Sequence, residues 1–139
     1  MTNTISVDIW SDIACPWCFI GKREFESGAA KFTAATGTDV QVTYHSFELA
    51  PENPIDIPES SAEYVAKRKG VAPAVVDRML QQVTDRAAAV GLAYRFDLVQ
   101  NTNTRKAHEL LHLARQHGVQ AAVKEALMAA HFEQGGHVG

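Results

Sequence analysis

Between Ile5 and Phe47 a strand, a long helix and a second strand follow one another with almost no linker. Ile5, Val7 and Ile9 alternate with Ser6 and Asp8, the period-two pattern of a half-buried strand, expected to run from Ile5 to Trp10. Pro16 then opens a helix, because its fixed φ suits the first turn and the N–H it lacks is one the helix does not use there. Phe19, Ile20, Arg23, Phe25, Ala29 and Phe32 carry that helix to Gly37. From Val40 to Phe47 the alternation returns, with Val40, Val42 and Tyr44 on one face and Gln41, Thr43 and His45 on the other. Two strands joined through a helix of this length must lie parallel in a right-handed β-α-β unit.

The rest of the chain is of another kind. Pro51, Pro54 and Pro58 forbid a helix or central strand between Glu48 and Ser61, so this stretch reads as an extended crossing loop. Beyond it the pattern is helical: a short helix capped by Ser61 and closed by Gly70, then one from Ala72 and Pro73 to Gly91 with Val75, Val76, Met79, Leu80, Val83, Ala87 and Val90 inward. Thr104 begins another, with Ala107, Leu110, Leu111 and Ala114 inward, and a last takes Ala122, Val123, Ala126, Leu127 and Ala130. Ala93 to Phe96 is the one later segment with strand character. Met79 and Met128 are expected to fill core space.

With 46% apolar and 21% charged residues among 139, the chain can bury a core and is not disordered. No run of eighteen apolar residues occurs, which argues against a membrane span, and Met1 to Ser6 lacks the look of a secretory signal. A cytoplasmic, reducing setting is therefore expected. The net charge of −3, with 13 basic residues spread along the chain, argues against a nucleic-acid partner.

The only cysteines, Cys15 and Cys18, fall between the first strand and the first turn of its helix in Asp12-Ile13-Ala14-Cys15-Pro16-Trp17-Cys18. They could fill buried space, but that explains neither their spacing nor their place at a helix start. A structural disulfide closing so short a loop restrains the unfolded chain by only about 2 kcal/mol on chain-entropy grounds. A redox pair makes physical sense. Unpaired N–H groups and the helix dipole favour a thiolate, so Cys15 is expected to have a lowered pKa and attack, while Cys18, one turn further in, resolves the mixed disulfide. Pro16 stiffens the turn, and Trp17 sets an aromatic surface beside the sulfur.

Together with Phe19-Ile20-Gly21-Lys22, then Phe47-Glu48-Leu49-Ala50-Pro51 and Asn103-Thr104-Arg105-Lys106-Ala107-His108, this motif resembles the DsbA-like thioredoxin-fold oxidoreductases, in particular their FrnE-type branch from polyketide biosynthesis. The resemblance implies an α/β thioredoxin-like fold with a helical domain inserted after the second strand, residues 1–60 forming the N-terminal β-α-β part and 61–139 the helical insertion. It implies thiol-disulfide exchange with protein or small-molecule thiols and disulfides, through Cys15 as nucleophile and Cys18 as resolving thiol. No organic cofactor is expected beyond the redox-active Cys15–Cys18 pair, with glutathione a possible co-substrate. Phe47, Pro51, Asn103 and His108 are implied to lie on the substrate side. The related glutathione-dependent 2-hydroxychromene-2-carboxylate isomerases and kappa-class transferases carry serine at the position of Cys15, which counts against isomerase chemistry.

His108-Glu109-Leu110-Leu111-His112 matches the zinc-hydrolase pattern of two histidines one turn apart around a glutamate. It needs a third ligand, for which Glu133 is the candidate, and the longer form fails beyond Arg115. A mixed zinc site of Cys15, Cys18, His108 and His112 has acceptable ligand types but a very long intervening loop. The plainer reading, with no metal, is a histidine at each edge of an apolar stripe. His117 and His131 fall at helix ends, where partial positive charge is favourable. A helical interaction module without redox activity is the reading outside enzymes.

A thioredoxin fold normally has further strands and a cis-proline opposite the nucleophile, yet no proline follows Pro73. Two parallel strands make a poor sheet. The expectation is that this chain is part of a longer one, or that a second copy completes the sheet as a homodimer.

Overall fold

The computed structural model describes residues 3–139, leaving Met1 and Thr2 outside. Seven elements follow in order: β1 (Thr4–Ser11), α1 (Pro16–Thr36), β2 (Asp39–Ser46), α2 (Ser61–Lys69), α3 (Pro73–Ala88), α4 (Arg105–Gln116) and α5 (Gln120–Glu133). β1 and β2 pair in parallel with Ile5 opposite Val40, Val7 opposite Val42 and Ile9 opposite Tyr44, so the apolar members of both strands share a face. α1 starts on Pro16 and stops at Gly37, whose φ of 71° is the left-handed turn that releases the chain into β2.

β2 has an unusual neighbour on its outer side. The Gln120 amide accepts from the Tyr44 N–H at 3.0 Å and donates to the Tyr44 carbonyl at 2.9 Å, taking the place of a third strand at that point. On the other side β1 has no paired strand among the described residues. Trp10 projects from the polar face of the sheet, 63% exposed and stacked on His45.

Several details differ from the sequence reading, among them Leu110 of α4, which is 44% exposed while His108 takes a buried place on that helix. Ser60, not Ser61, caps α2: its side chain accepts the Glu63 N–H while Glu63 accepts the Ser60 N–H, a box that requires three residues' separation. Ala93 to Phe96 forms no strand, because its backbone is tied to the end of α5: the Arg95 N–H donates to the Phe132 carbonyl at 2.7 Å and the Ala93 N–H to Glu133 at 2.9 Å. The buried stripe of α5 is turned from the expected one and holds Gln120, Lys124, Met128, His131 and Phe132, leaving Ala122 and Ala126 exposed. His131 therefore lies in the interior, where burial pushes its pKa down to about 4, and it is not a charged helix-end residue.

The core joins Phe19 and Ile20 of α1, Leu92 and Tyr94 of the loop after α3, Leu111 of α4, and Met128 and Phe132 of α5. Tyr94 stacks on Phe132 with ring centroids 4.8 Å apart, and Phe19 stacks on both. This cluster seats the first turn of α1 and so fixes the cysteine motif. No helix among the described residues is long and apolar enough to cross a membrane.

Candidate active site

Cys15 occupies the N-cap position of α1 with extended backbone (φ −88°, ψ 112°), and Cys18 follows in the first turn with its N–H on the Cys15 carbonyl at 3.1 Å. Both are half-buried free thiols. Their surroundings differ. Cys15, Pro16 and the exposed Trp17 line an open cavity of about 520 Å³ together with Leu49, Tyr64, Val65, Met79, Leu80 and Val83, and with Arg68 and Lys69. Cys18 packs inward against the core. Met79 thus faces this cavity, whereas Met128 is fully buried as expected of core filler.

The two thiols share a hydrogen bond and ionise as a pair. A hydrogen bond from Cys15 is the main influence on Cys18 and holds it down at about 6 against its burial. Cys15 is pushed far up by donating that bond, then by burial and by the neighbouring negative sulfur, while the N–H groups of Cys18 and Trp17 pull the other way. The pair thus yields one proton easily and keeps the second.

Behind the motif lies a buried polar knot. Asp12, 2% exposed, accepts through Oδ1 from the Ile13 N–H (2.8 Å), the Thr104 hydroxyl (2.7 Å) and His108 Nε2 (3.0 Å), and through Oδ2 from the Leu49 N–H (2.8 Å). Burial alone would raise its carboxyl, but these donors outweigh burial and hold it below the ordinary carboxylate range. A second anchor is Tyr94, whose hydroxyl donates to the Pro16 carbonyl at 2.5 Å.

Of the residues implied to be on the substrate side, Asn103 and Pro51 are brought together: Asn103 Nδ2 donates to the Pro51 carbonyl at 3.2 Å and to the Asn53 carbonyl at 2.9 Å, stapling the proline-rich loop. Phe47 is exposed just past β2. His108 is 4% exposed and reaches the underside of the motif through Asp12. His112 lies at the surface with its Nε2 2.9 Å from the Ser46 hydroxyl, and Glu133 is engaged by the Ala93 N–H, so the three do not converge on a metal. Among the described residues no group of three or more His, Cys, Asp or Glu side chains could hold one.

Tyr94 and Lys124 were not singled out by the sequence, and Thr104 only as a helix start within a motif. Asp12 stood in the motif without a role, and the remaining signal was a lysine at helical spacing from Gln120 and Met128.

Residues 6–139 match the family described as DSBA-like thioredoxin domain. A crystal structure of a probable DsbA oxidoreductase from Streptomyces coelicolor is similar over 91% of this chain, with 36% identity and a TM-score of 0.82, and the match spans 53% of that protein. The uncharacterized protein YwbO of Bacillus subtilis is 33% identical over 79 residues, 49% of this chain and 36% of its own length. The chain thus spans about half the solved relative, and the match to YwbO about a third of that protein.

Proposed function

As this chain belongs to the family of DSBA-like thioredoxin domains, we propose that it exchanges thiols and disulfides through Cys15 and Cys18. The observation that carries this reading is the division of labour between the two sulfurs. Cys15 opens on the cavity, and Cys18 lies behind it against the core. Exchange depends on access as well as on thiolate content, so the sulfur that a substrate reaches is Cys15. As a substrate disulfide approaches, the proton shared with Cys18 leaves Cys15 and its thiolate attacks. One substrate sulfur departs as a thiolate, and a mixed disulfide remains at Cys15. Cys18 then attacks Cys15, the second substrate sulfur leaves, and the motif is left as a disulfide. The same steps in reverse oxidise a substrate dithiol.

The apolar cavity walls suit a peptide or small molecule that presents apolar groups beside its sulfur. Glutathione remains the small co-substrate to be tried, and the FrnE-type branch, a cytoplasmic setting and a homodimer are proposals of the same standing. Isomerase chemistry of the 2-hydroxychromene-2-carboxylate type is the weaker reading, since Cys15 stands where those enzymes carry serine. Turnover of a fluorogenic peptide disulfide by the reduced protein tests the main reading. We expect one disulfide reduced per protein with loss of both thiols, and an at least tenfold slower reaction with Cys15→Ser; equal reaction by that variant would refute it.

A further inference from the structure

Leu49 and Trp17 are the apolar side chains of the Cys15 cavity that stand most open, 50% and 54% exposed, whereas Val65, Met79 and Leu80 are half-buried and Val83 is buried. Trp17 lies within the motif itself, and Leu49 comes from the proline-rich loop. The backbone of Leu49 is held on both sides. Its N–H donates to Asp12 Oδ2 at 2.8 Å, and its carbonyl accepts from Arg68 Nη2 at 3.2 Å. Arg68 is fixed in turn by Glu52 at 2.8 Å and lies over the Tyr64 ring, 5.8 Å from its centre. The other oxygen of Asp12 takes the N–H of Ile13, two residues before Cys15, at 2.8 Å. One buried carboxylate therefore sets the spacing between Leu49 and the turn that carries Cys15. With its N–H spent inward and its carbonyl engaged by Arg68, Leu49 meets an incoming molecule through its side chain.

We propose that Leu49 is a specificity-determining residue of this cavity, selecting substrates that carry an apolar residue next to the disulfide sulfur. The inference rests on the exchange reading of Cys15 and Cys18 and goes further by naming the residue that chooses among substrates. A substrate sulfur attacked by Cys15 must come into contact with the Cys15 sulfur, so the groups beside it enter the cavity that Cys15 lines. An apolar neighbour covers the open surface of Leu49 and removes both from water, which is favourable in proportion to the area covered. A polar neighbour gives up hydration there and gains nothing from that surface. Discrimination of this kind needs a wall that does not yield, and the double hold on Leu49 supplies one.

A pair of chromogenic disulfides decides it: capped Leu-Cys-Leu and Ser-Cys-Ser peptides, each joined through its cysteine to thionitrobenzoate. Cys15 attacks the peptide sulfur and the thionitrobenzoate thiolate, the better leaving group, departs and is read by its absorbance. Second-order rate constants with the reduced protein are expected to favour the leucine peptide by about tenfold, the scale on which an apolar wall discriminates. Leu49→Asn is expected to bring that ratio down to about two or below, and Leu49→Met, which restores an apolar side chain, to keep it. A variant that only weakens the fold slows both peptides together and leaves the ratio standing. An unchanged ratio in Leu49→Asn, or no preference in the unaltered protein, overturns the proposal; if Leu49→Asn does not fold, Leu49→Ala is read by the same ratio. Calorimetric affinities of the S-methylated peptides, which cannot exchange, separate the two claims. Tighter binding of the leucine peptide that is lost in Leu49→Asn, with no exchange by either disulfide, supports the role of Leu49 and refutes the exchange reading.

Discussion

The His108 Nε2 and the Asp12 carboxylate meet at 3.0 Å in the interior, joining two residues 96 positions apart just behind the cysteine motif. Thr104 reaches the same oxygen at 2.7 Å, and Leu49 N–H binds the other at 2.8 Å. The start of α1, the proline-rich loop and the start of α4 thus converge on one carboxylate.

Removing that carboxylate leaves four donors without their acceptor. Asp12→Ala is expected to cost about 3 kcal/mol of stability, within the range for breaking a buried charged network. Denaturant unfolding measures it. A loss under ~0.5 kcal/mol would show that the knot is incidental to the fold.

Tyr94→Phe keeps the stack on Phe132 and removes only the hydrogen bond to Pro16. The expected loss is about 1 kcal/mol, and because the bond fixes the turn holding Cys15, alkylation of Cys15 should become less selective over Cys18. Thermal melting and peptide mapping after limited alkylation read both effects.

The fold's framework was legible in sequence because its signals are local. Alternation gave both strands, Pro16 and Gly37 bounded α1, and three prolines marked the crossing loop. The site was legible to the extent that Cys15-Pro16-Trp17-Cys18 names itself. What could not be read depends on partners far along the chain. α5 is so rich in alanine that several faces look equally apolar, and only the Tyr44 backbone and ring explain why Gln120 and Lys124 turn inward. Ala93 to Phe96 alternates like a strand, yet its backbone partners lie at the end of α5, beyond the reach of periodicity. The helix-dipole argument treated Cys15 alone, whereas the two thiols share a proton and ionise as a pair.

His131 supplies a pH dependence of stability. Its pKa is about 4 when folded and 6.5 ordinarily, so the unfolded chain binds a proton that the folded one refuses. Its contribution is intact above pH 6.5 and is lost as the pH falls from 6.5 to about 4, by roughly 3 kcal/mol at 1.36 kcal/mol per unit. Urea unfolding over that window should show the decline, and His131→Leu should flatten it. A parallel decline in the variant would assign the acid sensitivity to another group.

The dithiol's first ionisation sets its reactivity. Alkylation of the reduced protein should rise with pH to a half-point near 6 and then level off, because one proton leaves the pair there and the second is retained. Cys15→Ala removes the hydrogen bond that lowers Cys18, so the half-point should move upward. A half-point near that of an ordinary free thiol in the unaltered protein would contradict the shared-proton account.

The claim that Cys15 is the sulfur substrates reach is tested most directly by trapping. Cys18→Ser and Cys15→Ser are each incubated with oxidised glutathione and with a peptide disulfide, and adducts are located by mass and peptide mapping. The account predicts rapid, stable adducts on Cys15 in Cys18→Ser and at least tenfold slower reaction at Cys18 in Cys15→Ser. Equal or faster adduct formation at Cys18 would contradict it.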